Sequence, residues 1–219
     1  MSKGLILFPF GGNAREAVTT ILNINKIQKQ WNVLGFMDDH SGNLGKECCG
    51  IRVLGGKEVL KQFPKAYILA VPGNPDHYLE RERIIHDLNL KPSRFAQIVH
   101  PSAVIAPDAH IGYNTLIMPN VIVGCGVSIG DHCLVLGNSV VAHDSVIADY
   151  CCIGYQVNIS GHVRVGRNCY IGSGANIRDH VNIGAKSLVG LGANVIKDVG
   201  NAVVVAGNPA KIIRKAKMK

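Results

Sequence analysis

The sequence predicts two structural units in one chain: a small α/β unit with a parallel sheet over residues 1–95, then a β-solenoid over residues 96–219. Two observations carry this expectation. From Val99, every sixth residue through Val195 is Ile or Val, seventeen positions with no slip of phase. Those two residue types make up about a fifth of the chain, so chance gives such a run odds on the order of one in 10^11. Ahead of the run, apolar stretches of strand length alternate with helical patterns, the order that builds a parallel sheet covered by helices.

A period of six belongs neither to a helix nor to a plain strand. It suits a backbone of short straight sides with a corner every six residues. If three sides close a triangular coil, residues eighteen apart stack about 4.8 Å apart, as neighbouring strands do. The position two before each Ile or Val is mostly small or β-branched, as at Ala109, Thr115, Cys133, Ser139, Ser145, Cys151 and Cys169. The position after it is often Gly, as at 112, 124, 130, 154, 166, 172, 184 and 190. These glycines are expected at corners, where left-handed backbone angles are needed. Cys133, Cys151 and Cys169 form one ladder and read as small interior filler rather than disulfides. The same spacing puts Asp144, His162 and His180 on one ladder and His143 between Cys125 and Gly161.

In the N-terminal unit, Gly4 to Phe10 reads as a buried strand. Gly11-Gly12-Asn13 turns into a helix from Ala14 to about Gln30. Val33 to Met37 is a second strand ending in Asp38-Asp39. Ile51 to Leu54 is a short strand and Lys57 to Phe63 a short helix. Ala66 to Val71 is a strand followed by Pro72-Gly73-Asn74-Pro75 and a helix through about Leu90. Ligands of such sheets sit at the carboxyl ends of the strands, which here carry Gly11, Gly12, Asn13, Asp38, Asp39, Gly73 and Asn74. A glycine turn opening a helix offers N–H groups to a phosphate, and an acidic strand end can accept hydrogen bonds from a ribose or base. The turn is not a full GxGxxG, so a dinucleotide is not indicated.

The net charge of +8 suits anionic ligands. The basic residues are scattered and lack aromatic interleaving, so nucleic acid is not expected as a partner. Leu5 to Phe10 is too short for a signal peptide and no run reaches membrane-spanning length, so no membrane partner and a cytoplasmic location are expected. Seven cysteines without a CxxC pair fit reduced thiols. Trimeric solenoid carbonic anhydrases hold zinc with an H-x4-H pair plus a third His. This chain has no such pair, so no metal is expected.

The solenoid resembles the left-handed β-helix of hexapeptide acyltransferases, and the hand comes from that resemblance alone. Ala206-Gly207-Asn208-Pro209-Ala210-Lys211 matches the tail that closes these solenoids before a short C-terminal helix, which here would carry Lys211, Arg214, Lys215, Lys217 and Lys219. Gly11-Gly12-Asn13-Ala14-Arg15-Glu16, Phe36-Met37-Asp38-Asp39, His100-Pro101-Ser102-Ala103 and Val141-Ala142-His143-Asp144 fall in the order of one subgroup with an N-terminal nucleotide-sugar-binding Rossmann-like domain. It includes the UDP-4-amino-sugar N-acetyltransferases of bacillosamine synthesis and proteins described as sialic acid O-acetyltransferases. The resemblance implies a homotrimer that uses acetyl-CoA and a nucleotide sugar. His143 would be the general base, Asp144 its acidic neighbour, and Gly161 the source of a backbone N–H near the thioester oxygen. It also implies acetyl-CoA contacts at Cys152, Gly161, Ser173 and Gly192. The chain departs from the family pattern at Cys152, where His is frequent, at Leu136, where Asn is usual, and at Asn13, where His is frequent. The expected substrate is a nucleotide-linked 4-amino-4,6-dideoxy sugar, UDP-linked by preference. The rivals are O-acetylation of a sialic acid and a non-enzymatic trimeric scaffold.

Overall fold

The computed structural model describes residues 2–217. Its first part is a five-stranded sheet in the order β3-β4-β2-β1-β5, made of β1 (Lys3–Phe8), β2 (Trp31–Met37), β3 (Glu47–Cys48), β4 (Ile51–Gly55) and β5 (Tyr67–Ala70). The pairs β1–β2, β1–β5 and β2–β4 are parallel, whereas β3 and β4 form a small antiparallel hairpin absent from the sequence expectation. Two residues make too short a strand for hydrophobic period to reveal. Helix α1 (Gly12–Ile27) lays Ala14, Ala17, Val18, Ile21 and Ile24 on the sheet. The expected helix through Leu90 is shorter: a 3-10 turn at Tyr78–Glu80 leads into α3 (Arg81–His86), and α2 (Val59–Gln62) is one turn long.

From Ile98 the chain winds as a three-sided prism. The first face stacks Ile98–Val99, Leu116–Ile117, Leu134–Val135, Cys152–Ile153, Tyr170–Ile171 and Leu188–Val189. The second runs from Val104–Ile105 to Asn194–Val195 and the third from His110–Ile111 to Asn182–Ile183. Within each face the register is eighteen, as in Leu134↔Cys152, Val140↔Asn158 and Val146↔Arg164, all parallel. Every Ile or Val of the six-residue run is the second residue of its strand and points inward. Those from Ile117 onward are buried, while Val99, Ile105 and Ile111 at the open first coil are partly buried. The prism is the β-helix that the period requires.

The structure gives the small residues and the glycines more definite roles. Thr115, Ser139 and Ser145 donate their hydroxyls to carbonyls fifteen residues on, at Gly130, Gly154 and Ser160. Cys151 and Cys169 do the same with their thiols toward Gly166 and Gly184, at 3.1 Å each. These cysteines therefore satisfy corner carbonyls as well as filling space, and they are free thiols. The left-handed corner residues are not the glycines after each Ile or Val. They lie two positions later and are mostly polar: Asn138, Asp144, Tyr150, His162 and His180 all have φ between 59° and 61° or at 58°. The glycines answer instead to close approach of the next coil. A β-carbon on Gly154 would stand 2.5 Å from the Ser173 nitrogen, and one on Gly112 would stand 2.6 Å from that of Asp131.

After the last coil, Val203–Ala206 joins the first face in parallel, and Lys211–Lys215 turns back antiparallel to it. The expected terminal helix is thus a strand. The solenoid leaves an unpaired edge at its end, and a strand satisfies that edge where a helix would not. Lys219 lies outside the described residues.

The α/β unit covers the first face. Leu116, Leu134 and Cys152 share one core with Leu5, Val18 and Val71. Along the edge where the third face meets the first, residues 78–82 climb the coils. Arg81, 1% exposed, donates to the carbonyls of Pro72 and His132. Asn168 donates to the Leu79 carbonyl, Tyr78 to that of Lys186, and Arg167 pairs with Glu82 at 2.8 Å. Asn114 bonds both the N–H and the carbonyl of Ala70, extending β5 as a strand neighbour would, and its side chain meets the His132 ring at 2.8 Å.

His132 is buried between Tyr113, Tyr150 and Phe95. Loss of water, with the Arg81 charge adding to it, pushes its pKa down to about 4. The folded chain holds this ring neutral while the unfolded chain, with an ordinary pKa near 6.5, takes up a proton. Stability should therefore fall as pH drops from about 6.5 and stop falling on this account below about 4. The loss is bounded at about 3 kcal/mol. Denaturant titrations across that window should show a shallower slope for His132→Phe than for the parent chain; parallel slopes would remove His132 from the seam's pH response.

Candidate active site

Two clusters carry chemistry, and they stand on opposite sides of the prism. The first is at the edge between the second and third faces, where the chain turns after Val140–Val141 and again after Asn158–Ile159. His143 and Asp144 occupy one corner and Gly161 and His162 the next, because a coil is eighteen residues. His143 Nδ1 lies 2.9 Å from Asp144 Oδ2. The carboxylate also faces His162, whose Nε2 is 3.8 Å away. The hydrogen bond from His143, with the nearby His162, holds the Asp144 carboxyl below the usual carboxylate range. His143 is 61% exposed at its side chain, so the ring is open to a partner from solvent.

Gly161 shows why these residues need one another. A β-carbon there would come within 2.6 Å of His143 Cε1 and 2.7 Å of Nε2. The imidazole thus lies flat against the next coil, a position that only glycine leaves free. Among the described residues the buried Gly161 N–H has no acceptor, while its carbonyl accepts from His180 N. The expected set of His143, Asp144 and Gly161 is brought together on one edge, across two successive corners.

The second cluster lies at the carboxyl ends of β1 and β5. Gly11, Gly12, Asn13, Gly73 and Asn74 line a cleft of about 280 Å³ with His77 and Arg81. Asn13 Nδ2 donates to the Val71 and Gly73 carbonyls, which ties the two loops together. The open first turn of α1 contains no acidic residue, so its N–H groups and dipole favour an anion. Arg81 is the member that sequence reasoning missed. It is buried beside the cleft, bonded to carbonyls, and has no carboxylate partner among the described ion pairs.

Asp38 and Asp39 stand next to the cleft rather than in its lining. Asp38 accepts from Phe10 N and His40 N, each at 2.8 Å. Asp39 accepts from Lys57 N and pairs with the Lys57 ammonium at 3.7 Å. Both carboxylates therefore brace the loop ends, with lone pairs left over.

The residues expected to meet acetyl-CoA are spread over three places. Cys152 is 4% exposed on the covered first face, under Gly73 and Asn13, so it is not part of the His143 corner. Ser173 accepts from Tyr155 N, and Ser173 and Gly192 sit on the edge between the first and second faces. Gly161 alone is at the histidine. His162 was placed on its ladder by the spacing of eighteen, but its approach to Asp144 depends on both side chains leaning the same way. No sequence signal marks Arg81.

Comparisons agree with this architecture. Residues 95–189 match the family model of the GMPPB C-terminal domain, a span that holds most of the repeat and less than half of the chain. No curated protein matches the sequence. Among solved structures, the acetyltransferase domain of PglB from Neisseria gonorrhoeae FA1090, in complex with acetyl coenzyme A, superposes with a TM-score of 0.82 at 24% identity, over 97% of this chain and 100% of that one. PerB from Caulobacter crescentus, in complex with CoA and GDP-perosamine, gives 0.81 at 24% identity over 97% of both chains. WeeI from Acinetobacter baumannii AYE gives 0.77 at 25% identity, over 97% and 100%. Among the described residues, no helix is long and apolar enough to cross a membrane.

Gly73 offers a test of the second cluster. A β-carbon there would stand 2.5 Å from Asn13 Nδ2 and 2.9 Å from Leu134 Cδ1. Gly73→Ala should cost about 1–3 kcal/mol of stability by overpacking. A thermal melt unchanged from the parent would show that the loops yield freely. Over 97% of its length the chain has the fold of the PglB acetyltransferase domain and of PerB: an N-terminal α/β unit followed by a hexapeptide β-helix.

Proposed function

We propose that the chain is an acetyl-CoA-dependent N-acetyltransferase acting on a nucleotide-linked 4-amino sugar, with His143 as general base. The observation that carries the proposal is the His143–Asp144–Gly161 corner: an exposed imidazole, oriented by a carboxylate and laid over a glycine whose N–H is free. The fold shared with two structures solved with acetyl-CoA or CoA supports it, as does the GDP-perosamine in one of them. A form of that enzyme with one histidine replaced by alanine has also been solved with CoA and GDP-perosamine.

Each residue's role follows from its chemistry. A sugar amine is mostly protonated near neutral pH and attacks only after losing a proton. Asp144, accepting from Nδ1–H, leaves the lone pair of His143 on Nε2, where it can take that proton. The amine then attacks the thioester carbon, and its C–O double bond opens to an oxyanion. The Gly161 N–H is the donor for that oxyanion, worth a few kcal/mol by analogy with single oxyanion-hole donors. Collapse breaks the C–S bond, the imidazolium gives its proton to the leaving thiolate, and the nitrogen, which still carries one proton more than the amide holds, releases it to solvent. The α/β unit grips the diphosphate at the α1 turn, and Asp38 and Asp39 serve the ribose or base with their remaining lone pairs. A UDP link is what the family resemblance implies, and a GDP sugar is the counterpart bound by PerB.

This reading requires more than one chain. The nucleotide cleft packs against the first face, whereas His143 stands on the edge that the α/β unit leaves bare. The amine must come from the cleft of a neighbouring subunit, which fits the homotrimer expected from the sequence. Val104 and Ile122, 63% and 46% exposed on the second face, offer apolar surface for such packing. Acetyl-CoA then lies between subunits, so Ser173 and Gly192 on the adjacent edge can contact it from a different chain than Gly161 does.

The test is an acetyl-transfer assay with UDP-, dTDP- and GDP-linked 4-amino sugars beside free sialic acid. His143→Ala should lower kcat by about 10^2–10^4 while leaving the oligomer intact. Asp38→Ala should raise KM for the nucleotide sugar. Mixing these two inactive or weakened variants should restore activity through hybrid assemblies in which one chain lends its cleft and another its histidine. Turnover of sialic acid alone would transfer the base to a hydroxyl substrate, and full activity in His143→Ala would end the assignment.

A further inference from the structure

We propose that the His143 edge is also a zinc site, formed by His143, Asp144 and His162, and that zinc bound there switches the base off. The His143 Nδ1 to Asp144 Oδ2 and Asp144 Oδ2 to His162 Nε2 separations are 2.9 and 3.8 Å. A ligand atom from each of the three residues lies within 4.8 Å of the other two. Ligand atoms of a tetrahedral zinc with bonds of about 2.0–2.1 Å stand about 3.4 Å apart. The two closest separations bracket that value; the third, between His143 and His162, lies within 4.8 Å and closes as these two exposed imidazoles turn toward Asp144. Two imidazoles and one carboxylate, with a fourth position left to water, are a donor set zinc accepts.

The sequence pattern that suggests zinc in other solenoids, an H-x4-H pair, is absent here; the donors arise differently. Asp144 and His162 are the left-handed residues of successive corners, with φ of 59° and 58°. Matching φ angles one coil apart let both side chains leave the same edge. Above them His180, with φ of 61°, stacks its ring on His162 at 4.6 Å with 11° between the planes. That stack orients the His162 ring while its Nε2 faces the carboxylate. Elsewhere the left-handed corners carry Asn, Gly, Gln, Tyr, Lys or Ala, with His132 buried in the seam. The Asp-His-His run is peculiar to this edge, and His162 and His180 have no part in the acetyl-transfer steps above.

The consequence for the base is a matter of valence. A neutral imidazole that gives Nδ1 to zinc carries its proton on Nε2, which then has no lone pair for an ammonium proton. Asp144, shared with the metal, no longer selects the useful tautomer. Zinc and acetyl transfer are therefore exclusive at one corner. The inhibition rests on the acetyltransferase reading; the binding does not.

Zinc binding is measured first, by competition between the full-length protein and a chromophoric chelator, with no acyl donor present. The parent should bind one zinc per chain at this edge, and His162→Asn should bind at least about tenfold more weakly. His86→Asn, a change at an exposed histidine on α3, should bind as the parent does. Equal affinities for the parent and His162→Asn, or an equal loss in His86→Asn, would overturn the site. In the transfer assay, zinc should inhibit the parent, a chelator should reverse it, and His162→Asn, referred to its own zinc-free turnover, should need at least about tenfold more zinc for the same fractional inhibition. Zinc that binds at the edge and leaves transfer unaffected would overturn the switch. Failure of every sugar to be acetylated, with binding intact, would count against the enzyme reading and not against the metal site.

Discussion

The stacking of one coil on the next is the constraint from which the rest of the structure follows. Strands of two residues have almost no stability alone, and their N–H groups are satisfied only by carbonyls seventeen residues on, in the next coil, such as Cys152 N on Cys169 O and Val140 N on Val157 O. Each inward Ile or Val rests on the one below, and each small polar residue behind it donates to a corner carbonyl. A coil is therefore neither folded nor useful by itself, in the way of other solenoids. The N-terminal unit joins this scheme by packing Leu5, Val18 and Val71 on the first face, where the outward residues Leu116, Leu134 and Cys152 are apolar.

How much of this the sequence discloses depends on how local the cause is. The inward ladder is visible because a repeated packing demand writes itself at a fixed interval, and the same interval puts Gly161 over His143. The glycines after each Ile or Val were visible too, but their reason was not. Left-handed angles fall two residues later, on Asn138 or Asp144, while Gly154 answers to the backbone of the next coil. The closing strand Lys211–Lys215 could not be told from a helix by composition, since its pairing with Val203–Ala206 is decided by an edge that exists only after the solenoid has formed. Arg81 was hidden for the same reason. Nothing in its neighbours announces that it will bridge Pro72 and His132 in the seam.

The candidate site shows the same division. His143, Asp144 and Gly161 are legible because stacking alone brings them together. The residues that line the cleft are legible as strand ends, but no spacing in the sequence says on which side of the solenoid they lie. The fold puts the cleft against one face and His143 on the opposite edge. Cys152 illustrates the point: it belongs by number with the solenoid but by burial with the α/β unit. In the proposed reaction the two halves stand on different sides of a prism, which gives the chain a reason to assemble that neither half has alone.

The interval of eighteen also sets what kinds of length change such a gene can accumulate. One residue gained or lost within a strand would turn every later Ile or Val away from the axis, since side chains alternate sides along a strand. A whole coil could be duplicated or deleted with every ladder kept in register, at the expense only of prism height. Between those extremes lie the corners, where extra residues can loop outward without disturbing the straight sides. The His143 edge, uncovered by the α/β unit, is the corner series on which such loops would be least obstructed within one chain, and the most consequential for what the edge can bind.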